Sequence, residues 1–167
     1  EFSWDELAKI QRPDGGICSA YGDNCSMLWD YVAWYIIAFY DYYMYVGNKD
    51  FVLKHKSTIE KAVDYLTTLT NENGVIDVPE NPLGKLWMVE LDEFVGLDPY
   101  LNELYLRSLE TAKFVEELAG DVKNVKKYAA LIAKTEPEVE KLLADDNLIK
   151  TFDKTGHTQL QYELAET

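Results

Sequence analysis

The sequence has 167 residues, which is enough for one domain with a hydrophobic core. Apolar residues make up 47% of it, and this fraction excludes an intrinsically disordered chain. The 16 lysines and arginines are outnumbered by 30 aspartates and glutamates, so the formal net charge is −14. Because nucleic acids and anionic membranes are also negative, neither is an expected partner, whereas a neutral or cationic ligand meets no repulsion.

Five segments are predicted to be helical, and strand signals are scarce. They are residues 4–10, 27–46, 50–69, 99–119 and 122–143. Asp98 can cap the fourth helix, and Pro99 suits its first turn. Pro137 interrupts the fifth, where Thr135 and Glu138 have the spacing of a capping box, so a kink or a new helix start is expected.

Segment 27–46 is long enough to span a bilayer, which takes roughly 20 apolar residues. It nevertheless carries Asp30 and Asp41 and six tyrosines. Each aspartate near the bilayer centre would cost about 2.5–3.5 kcal/mol. The pattern therefore predicts a helix buried on most sides inside a soluble protein, either secreted or cytoplasmic.

The connections between helices alternate between short and long. Gly47-Asn48-Lys49 and Gly120-Asp121 are short and place glycine where a helix would end, whereas residues 11–26 and 70–98 form long loops. Because antiparallel helices return the chain to the same end after every second connection, the short corners should lie at one end and the long loops at the other. Long loops on a rigid scaffold are the usual location of binding and catalysis.

The helices of a pair also differ from each other. Segment 27–46 is apolar nearly all round, which is typical of a helix covered by others, whereas segment 50–69 has one apolar stripe, which is typical of an outer helix. This alternation predicts an all-α fold of antiparallel α-hairpins arranged as a double-layered ring. A four-helix bundle explains the long loops less well, and a solenoid is weakened by the unequal loops.

Several stretches resemble the six-hairpin domain of α-L-rhamnosidases. They are Gln11-Arg12-Pro13-Asp14-Gly15-Gly16, Leu28-Trp29-Asp30-Tyr31 and the Tyr-rich run from Asp41 to Val52. In that family a Pro-Asp-Gly loop leads into an inner helix beginning with Trp-Asp or Asp-Tyr, and that helix ends in a Tyr-x-Gly-Asp-x-x-Phe turn. The similarity extends from about Gln11 to about Leu143 and is strongest between Trp29 and Leu66.

The resemblance implies that residues 1–144 are part of an (α/α)6 toroid and that residues 145–167 are a polar C-terminal segment. It implies a glycoside hydrolase that cleaves terminal sugars by inversion, using two carboxylates about 6.5–9.5 Å apart. The family's general acid would precede this chain and its general base would follow it. The catalytic residues are therefore unknown, whether this piece is itself an enzyme stays open, and the remainder of a parent chain is expected to pack against it.

Two departures from the family pattern qualify the resemblance. Asn48 follows Gly47 where the family usually has aspartate. The stretch Lys85-Leu86-Trp87 stands where the family usually has Gly-Asp-Trp. The missing Gly-Asp-Trp favours, modestly, a non-catalytic module that kept the scaffold but lost the active site.

The candidate substrate-binding residues are Trp29, Asp30, Asp14, Trp87 and Glu90, all in or beside the long loops. Aromatic planes pack well on the C–H faces of sugars, and the resemblance implies pocket positions for Trp29 and Trp87; the alternative is ordinary core packing. Asp30 lies on an apolar helix, where the alternative to the pocket rim is a structural hydrogen bond. For Asp14 and Glu90 the alternative is a solvated surface.

Other notable side chains are assigned structural roles. Trp34 and the tyrosines from Tyr40 to Tyr45 are expected to pack between helices. Asp41 is expected to be structural, and His55, among lysines, is expected at the surface.

Cys18 and Cys25 match no zinc pattern. They either close a small disulfide loop or remain free thiols, and free thiols are favoured. No metal and no cofactor is expected, since no phosphate loop, dinucleotide fingerprint or nucleophile elbow occurs.

Three functions fit these observations. The first is a fragment of an α-L-rhamnosidase-type hydrolase with a carbohydrate or glycoside substrate. The second is a non-catalytic helical module that binds carbohydrate or protein on the same scaffold. The third is another toroidal glycosidase acting on glucosides or uronates, although the acidic loops disfavour an anionic uronate.

Overall fold

The computed structural model describes residues 2–19, 27–78 and 96–144. The elements in chain order are α1 (Phe2–Lys9), α2 (Trp29–Val46), α3 (Lys49–Lys54), α4 (Lys56–Thr67), β1 (Asp77–Val78), β2 (Gly96–Leu97), α5 (Pro99–Ala119) and α6 (Val122–Ala144). The two short strands pair antiparallel. The described chain is therefore mostly helical, as predicted, and none of its helices is long and apolar enough to cross a membrane.

Helix α5 begins and ends where the sequence predicts. The Asp98 carboxylate accepts a hydrogen bond from the Leu101 backbone N–H at 2.6 Å, and Pro99 occupies the first turn. Gly120 ends the helix in the left-handed conformation, with φ 75°. Local capping chemistry therefore determines both ends of this helix.

The prediction of one helix over residues 50–69 is wrong, because the chain turns at His55 between α3 and α4. The turn directs the imidazole inward and leaves His55 2% exposed, so the prediction of a surface histidine is also wrong. Asp5 Oδ1 lies 2.9 Å from Nε2, and the Tyr35 hydroxyl lies 3.3 Å from Nδ1. Both partners come from other helices, which the neighbouring lysines in the sequence do not reveal.

Helix α6 runs without interruption through Pro137, so the expected new helix start is wrong. Pro137 and Ala133 are both exposed, and water can therefore satisfy the Ala133 carbonyl that the proline leaves without a donor. Thr135 does not cap a helix, because its buried hydroxyl donates to the Gly74 carbonyl at 2.9 Å. That bond joins α6 to the segment before β1.

The two most buried helices, α2 and α5, run parallel to each other. Trp34 of α2 contacts Tyr100 near the start of α5. Tyr43, further along α2, contacts Phe114, further along α5. Because the contacts advance together along both helices, their first turns lie at the same end of the molecule.

Helices α4 and α6 run in the opposite direction. Tyr65, near the end of α4, bonds to Trp29 at the start of α2, so these two helices are antiparallel. Helix α6 returns from α5 through the corner at Gly120. The Asn124 side chain donates to Glu60 of α4 at 2.7 Å, near the beginning of both helices. The four long helices thus form two antiparallel pairs placed side by side.

Because the helices run in these directions, the short corners lie at one end of the protein. The described parts of the long loops lie at the other end. Gly47 and Gly120 form the corners, and both have positive φ, of 71° and 75°. At the opposite end, residues 12–16 precede α2 and Ile76 bonds to Asn102 in the first turns of α5. This agrees with the alternation predicted from the loop lengths.

Burial of α2 is confirmed only as far as Phe39, which is fully buried. Val32, Ala33 and Ile36 are fully buried, whereas Met44 and Tyr45 are 61% and 90% exposed. The prediction that this tyrosine cluster packs between helices is therefore wrong for Tyr45. Within the part of the chain that the structure describes, no element covers that flank of the last turns.

Cys18 is buried and disulfide-bonded, so the interpretation as a free thiol is wrong. The other cysteine in the sequence, Cys25, lies outside the described residues. Spacing along the chain left both states open, because a disulfide depends on the distance and direction of the two Cβ atoms.

Candidate ligand-binding site

The candidate site is a cavity of about 350 Å³ beside the first turns of α2. Helix α1 contributes Trp4 to its wall, and residues 17–19 close one side. Helix α2 contributes Tyr31, Trp34 and Tyr35. The walls are mainly apolar and aromatic, a composition typical of pockets for small molecules.

Trp34 stands at the exposed rim of this cavity. Its side chain is 39% exposed, and its indole N–H donates to the Tyr100 hydroxyl at 3.2 Å. Burial raises the pKa of Tyr100, the Trp34 bond opposes that rise, and the charges of Asp30 and Asp98 add to it. Tyr100 is therefore neutral at physiological pH and links the starts of the two parallel helices.

Two carboxylates lie close to this link, since both Asp30 and Asp98 act electrostatically on Tyr100. Each is only 3% exposed, and a buried carboxylate must be paired or hydrogen-bonded. Asp98 caps α5, and both residues have interaction partners. Their negative charge near Tyr100, which bonds to the rim residue Trp34, disfavours an anionic ligand there.

Trp29, a predicted sugar-stacking residue, is 3% exposed and part of the hydrophobic core. Its indole N–H donates to the Tyr65 hydroxyl at 3.1 Å. Burial raises the pKa of Tyr65, and the bond from Trp29 opposes that rise. Trp29 is not among the residues that line the cavity, and its role in ligand binding stays a prediction.

Asp14 lies in the loop before α2 and is held in an exposed turn. Its carboxylate pairs with Arg12 at 2.8 Å and accepts the Gly16 backbone N–H at 3.0 Å. The Arg12 hydrogen bond is the largest reason why the pKa of Asp14 lies below its usual value. The remaining predicted site residues, Trp87 and Glu90, lie outside the described residues, so their roles stay predictions.

Neither Trp34 nor Tyr31 was predicted to be a cavity residue, although a local signal existed in the sequence. Asp30 was a predicted substrate-binding residue, and Trp34 follows it by four positions, so a helix places both on one face. Trp4, which lines the cavity, and Tyr100, which bonds to the rim residue Trp34, carried no such signal, because they come from helices that are distant in sequence.

A second polar cluster lies at the opposite end, beside the Gly120 corner. Oxygens of Glu60, Glu116 and Asp121 lie within 4.8 Å of one another, close enough to hold a metal ion. Lys56 Nζ, however, is 2.7 Å from Glu60 and 2.9 Å from Glu116. Burial raises the pKa of Glu116, and the Lys56 ammonium opposes that rise. The cluster is therefore an ion-pair network with lysine as its resident cation.

Together these features define an all-α protein of antiparallel helices with an aromatic cavity where α2 begins. No protein-family model matches the sequence, and no curated protein is significantly similar to it. The chemistry of a ligand must therefore be judged from the site itself.

Proposed function

We propose that this chain is part of a glycoside hydrolase of the α-L-rhamnosidase type, built as an (α/α)6 toroid, and that the aromatic cavity contacts the sugar. The observation that carries the proposal is that the cavity lies at the end of the protein where α2 and α5 begin. The glycine corners lie at the other end, which leaves the loop end for the ligand.

The cavity has the chemistry that a neutral sugar requires. The faces of Trp34 and Tyr31 can pack against ring C–H groups, and the Tyr100 hydroxyl supplies a neutral donor and acceptor near the rim. The buried charges of Asp30 and Asp98 disfavour uronates. The proposed ligand is therefore an uncharged glycoside.

The exposed flank of α2 supports the proposal of a larger ring. Met44 and Tyr45 are apolar or aromatic and largely exposed. An inner helix of a ring would expose such side chains on the side where the next helix of the ring is missing. We propose that the remainder of a parent chain packs on this flank. That remainder would also supply the catalytic acid and base.

A non-catalytic carbohydrate-binding module is the second candidate function. It is favoured by the two carboxylates near Tyr100, because Asp98 is committed to capping α5 and Asp30 is buried with a partner of its own. Neither is placed as a free acid or base, and inversion needs one of each with a water between them.

Binding and hydrolysis measurements on the same samples test the proposal. Calorimetry would measure binding of L-rhamnose and other neutral sugars to the 167-residue chain, and an aryl α-L-rhamnoside would report hydrolysis by the chain and by its longer parent. Binding to the chain, with turnover by the parent, is expected. Binding without turnover by either would favour the module, and absence of both would overturn the assignment. Trp34→Ala should weaken binding, whereas Tyr45→Ala, an aromatic change outside the cavity, should not.

A further inference from the structure

A groove of about 400 Å³ lies between the parallel helices α2 and α5. All of its lining residues belong to these two helices, so no other element in the described part of the chain reaches into it. They are Ile37, Tyr40 and Asp41 from α2 and Arg107, Glu110 and Thr111 from α5. This surface, which we call the α2–α5 groove, is separate from the aromatic cavity.

The floor of the α2–α5 groove is largely apolar, and an aromatic side chain forms part of its wall. Ile37 and Thr111 are both buried, whereas Tyr40 is exposed. The Tyr40 ring packs edge-on against Phe114 of α5, with ring centroids 5.1 Å apart. Tyr40 is therefore held in position by its own chain and can present a fixed surface to a partner.

The groove continues into the exposed flank at the end of α2. Met44 follows Tyr40 by four positions and Tyr45 follows Asp41 by four, so a helix places each pair on one side. From Ile37 to Tyr45 this side is about 12 Å long, or about two helical turns. A surface of this shape between two parallel helices can receive one further helix whose apolar residues recur every three or four positions.

The charges of the groove have an excess of carboxylates. Arg107, the one basic residue among those that line it, donates to Glu103 on its own helix at 3.2 Å. Within the described part of the chain, neither Asp41 nor Glu110 forms an ion pair with a basic side chain. Burial of part of its side chain raises the pKa of Glu110; Arg107 opposes that rise and Glu103 adds to it. A basic partner would offset this excess of negative charge, whereas an acidic partner would be repelled.

We propose that the α2–α5 groove is the docking surface for one helix of the parent chain, an amphipathic helix whose apolar stripe is flanked by lysine or arginine. The apolar residues of that helix pack on Ile37 and Tyr40, and its basic residues pair with Asp41 and Glu110. The source of the helix rests on the proposed function, whereas its chemistry follows from the groove alone.

The chemistry of the partner can be tested with the 167-residue chain and two designed helical peptides. Both peptides carry the same stripe of leucines, which is flanked by lysines in one and by glutamates in the other. Calorimetry should show binding of the lysine peptide at least about tenfold tighter than that of the glutamate peptide. Failure of the lysine peptide to bind, or equal affinity for both peptides, would overturn the proposal.

Two double variants separate binding in the groove from general attraction to an acidic protein. Asp41→Asn with Glu110→Gln removes the carboxylates of the groove, and Glu72→Gln with Asp77→Asn removes the same two types of carboxylate at the loop end. All four side chains are exposed, so neither variant should disturb folding. We expect the first variant to bind the lysine peptide about fivefold more weakly or less, and the second to change the affinity by less than about twofold. Equal losses in both variants would exclude the groove as the binding site.

The source of the helix can be tested by labelling carboxylates in the 167-residue chain and in its longer parent. Carbodiimide-activated coupling of glycine ethyl ester, read by mass spectrometry, should label Asp41 and Glu110 several-fold less in the parent. Equal labelling would overturn the assignment to a parent helix, even in a parent that hydrolyses a rhamnoside. Low labelling already in the 167-residue chain, through a second copy or its own remaining residues, would overturn it as well. Protection in a parent without glycosidase activity would leave this interface standing and count only against the proposed function.

Discussion

The side-chain amide of Asn102 hydrogen-bonds to both backbone groups of Ile76. Its Oδ1 accepts the Ile76 N–H at 2.6 Å, and its Nδ2 donates to the Ile76 carbonyl at 2.9 Å. The same Nδ2 also donates to the Asp98 carbonyl at 2.9 Å. Because Asn102 is fully buried, one side chain fastens the segment before β1 to the first turns of α5.

Removing this amide should be costly. Asn102→Leu leaves the buried Ile76 N–H and carbonyl without partners, and we expect a loss of about 2–4 kcal/mol in the free energy of unfolding. Urea denaturation followed by circular dichroism would measure it. Asn71→Ala is the matched control, because the Asn71 side chain accepts only from Asn73 at an exposed turn, and it should cost about 0.5–1 kcal/mol. Equal losses in both variants would contradict the role of the Ile76 bonds.

Lys56 should stabilise the Glu116 corner in a pH-dependent way. Lys56→Met leaves Glu116, which is 1% exposed, without its cation, and breaking a buried pair in this way costs about 3 kcal/mol or more. Because burial already raises the pKa of Glu116 above its unfolded value, ionising it opposes folding. That penalty is absent well below the unfolded pKa and complete above the folded one, so the variant should lose most stability near neutral pH and less in mild acid.

Denaturation of Lys56→Met at several pH values would measure this dependence. Adding Glu116→Gln should restore part of the stability, since the amide carries no charge. Lys113→Met, which breaks an exposed pair with Glu117, is the control and should change stability by less than about 1 kcal/mol. A loss in Lys56→Met that is the same at every pH would argue against an unpaired Glu116.

Two glycine substitutions should differ because of what surrounds them. A Cβ at Gly15 would lie 2.2 Å from the Lys61 carbonyl oxygen, which is backbone and cannot move aside cheaply. At Gly47 a Cβ would meet nothing within 4 Å. Both residues have positive φ, so Gly47→Ala should cost about 1–2 kcal/mol and Gly15→Ala distinctly more. Thermal unfolding of the two variants would test the order, and a milder Gly15→Ala would show that the loop does not rest on α4.

Substitutions of the two tryptophans of α2 should affect stability and ligand binding differently. Trp29→Ala removes a core side chain, and we expect a loss of about 3–5 kcal/mol in stability. Trp34→Ala removes a rim residue that is 39% exposed, so the loss should be roughly 1 kcal/mol, with a clear drop in affinity for a bound sugar. Denaturation and calorimetry on both variants would measure the two effects. A Trp34→Ala protein that binds normally would remove this residue from the site.

Local sequence chemistry was sufficient to predict an element when capping or turn residues mark its ends. The cap at Asp98 and the glycine at Gly120 determine α5 from end to end, and the glycine corners with alternating loop lengths indicate the helix directions. Such features depend on neighbours within a few positions, so a single sequence reveals them.

The tertiary structure decided what each side chain meets. His55 is buried because its ring meets Asp5 and Tyr35 from other helices. Trp4 of α1 completes a cavity with Tyr31 and Trp34 of α2, which are distant from it in sequence. The exposure of Tyr45 likewise depends on which helices are present beside α2. Burial and hydrogen bonding are set by groups far apart in sequence, and no local pattern encodes the free energy of those long-range contacts.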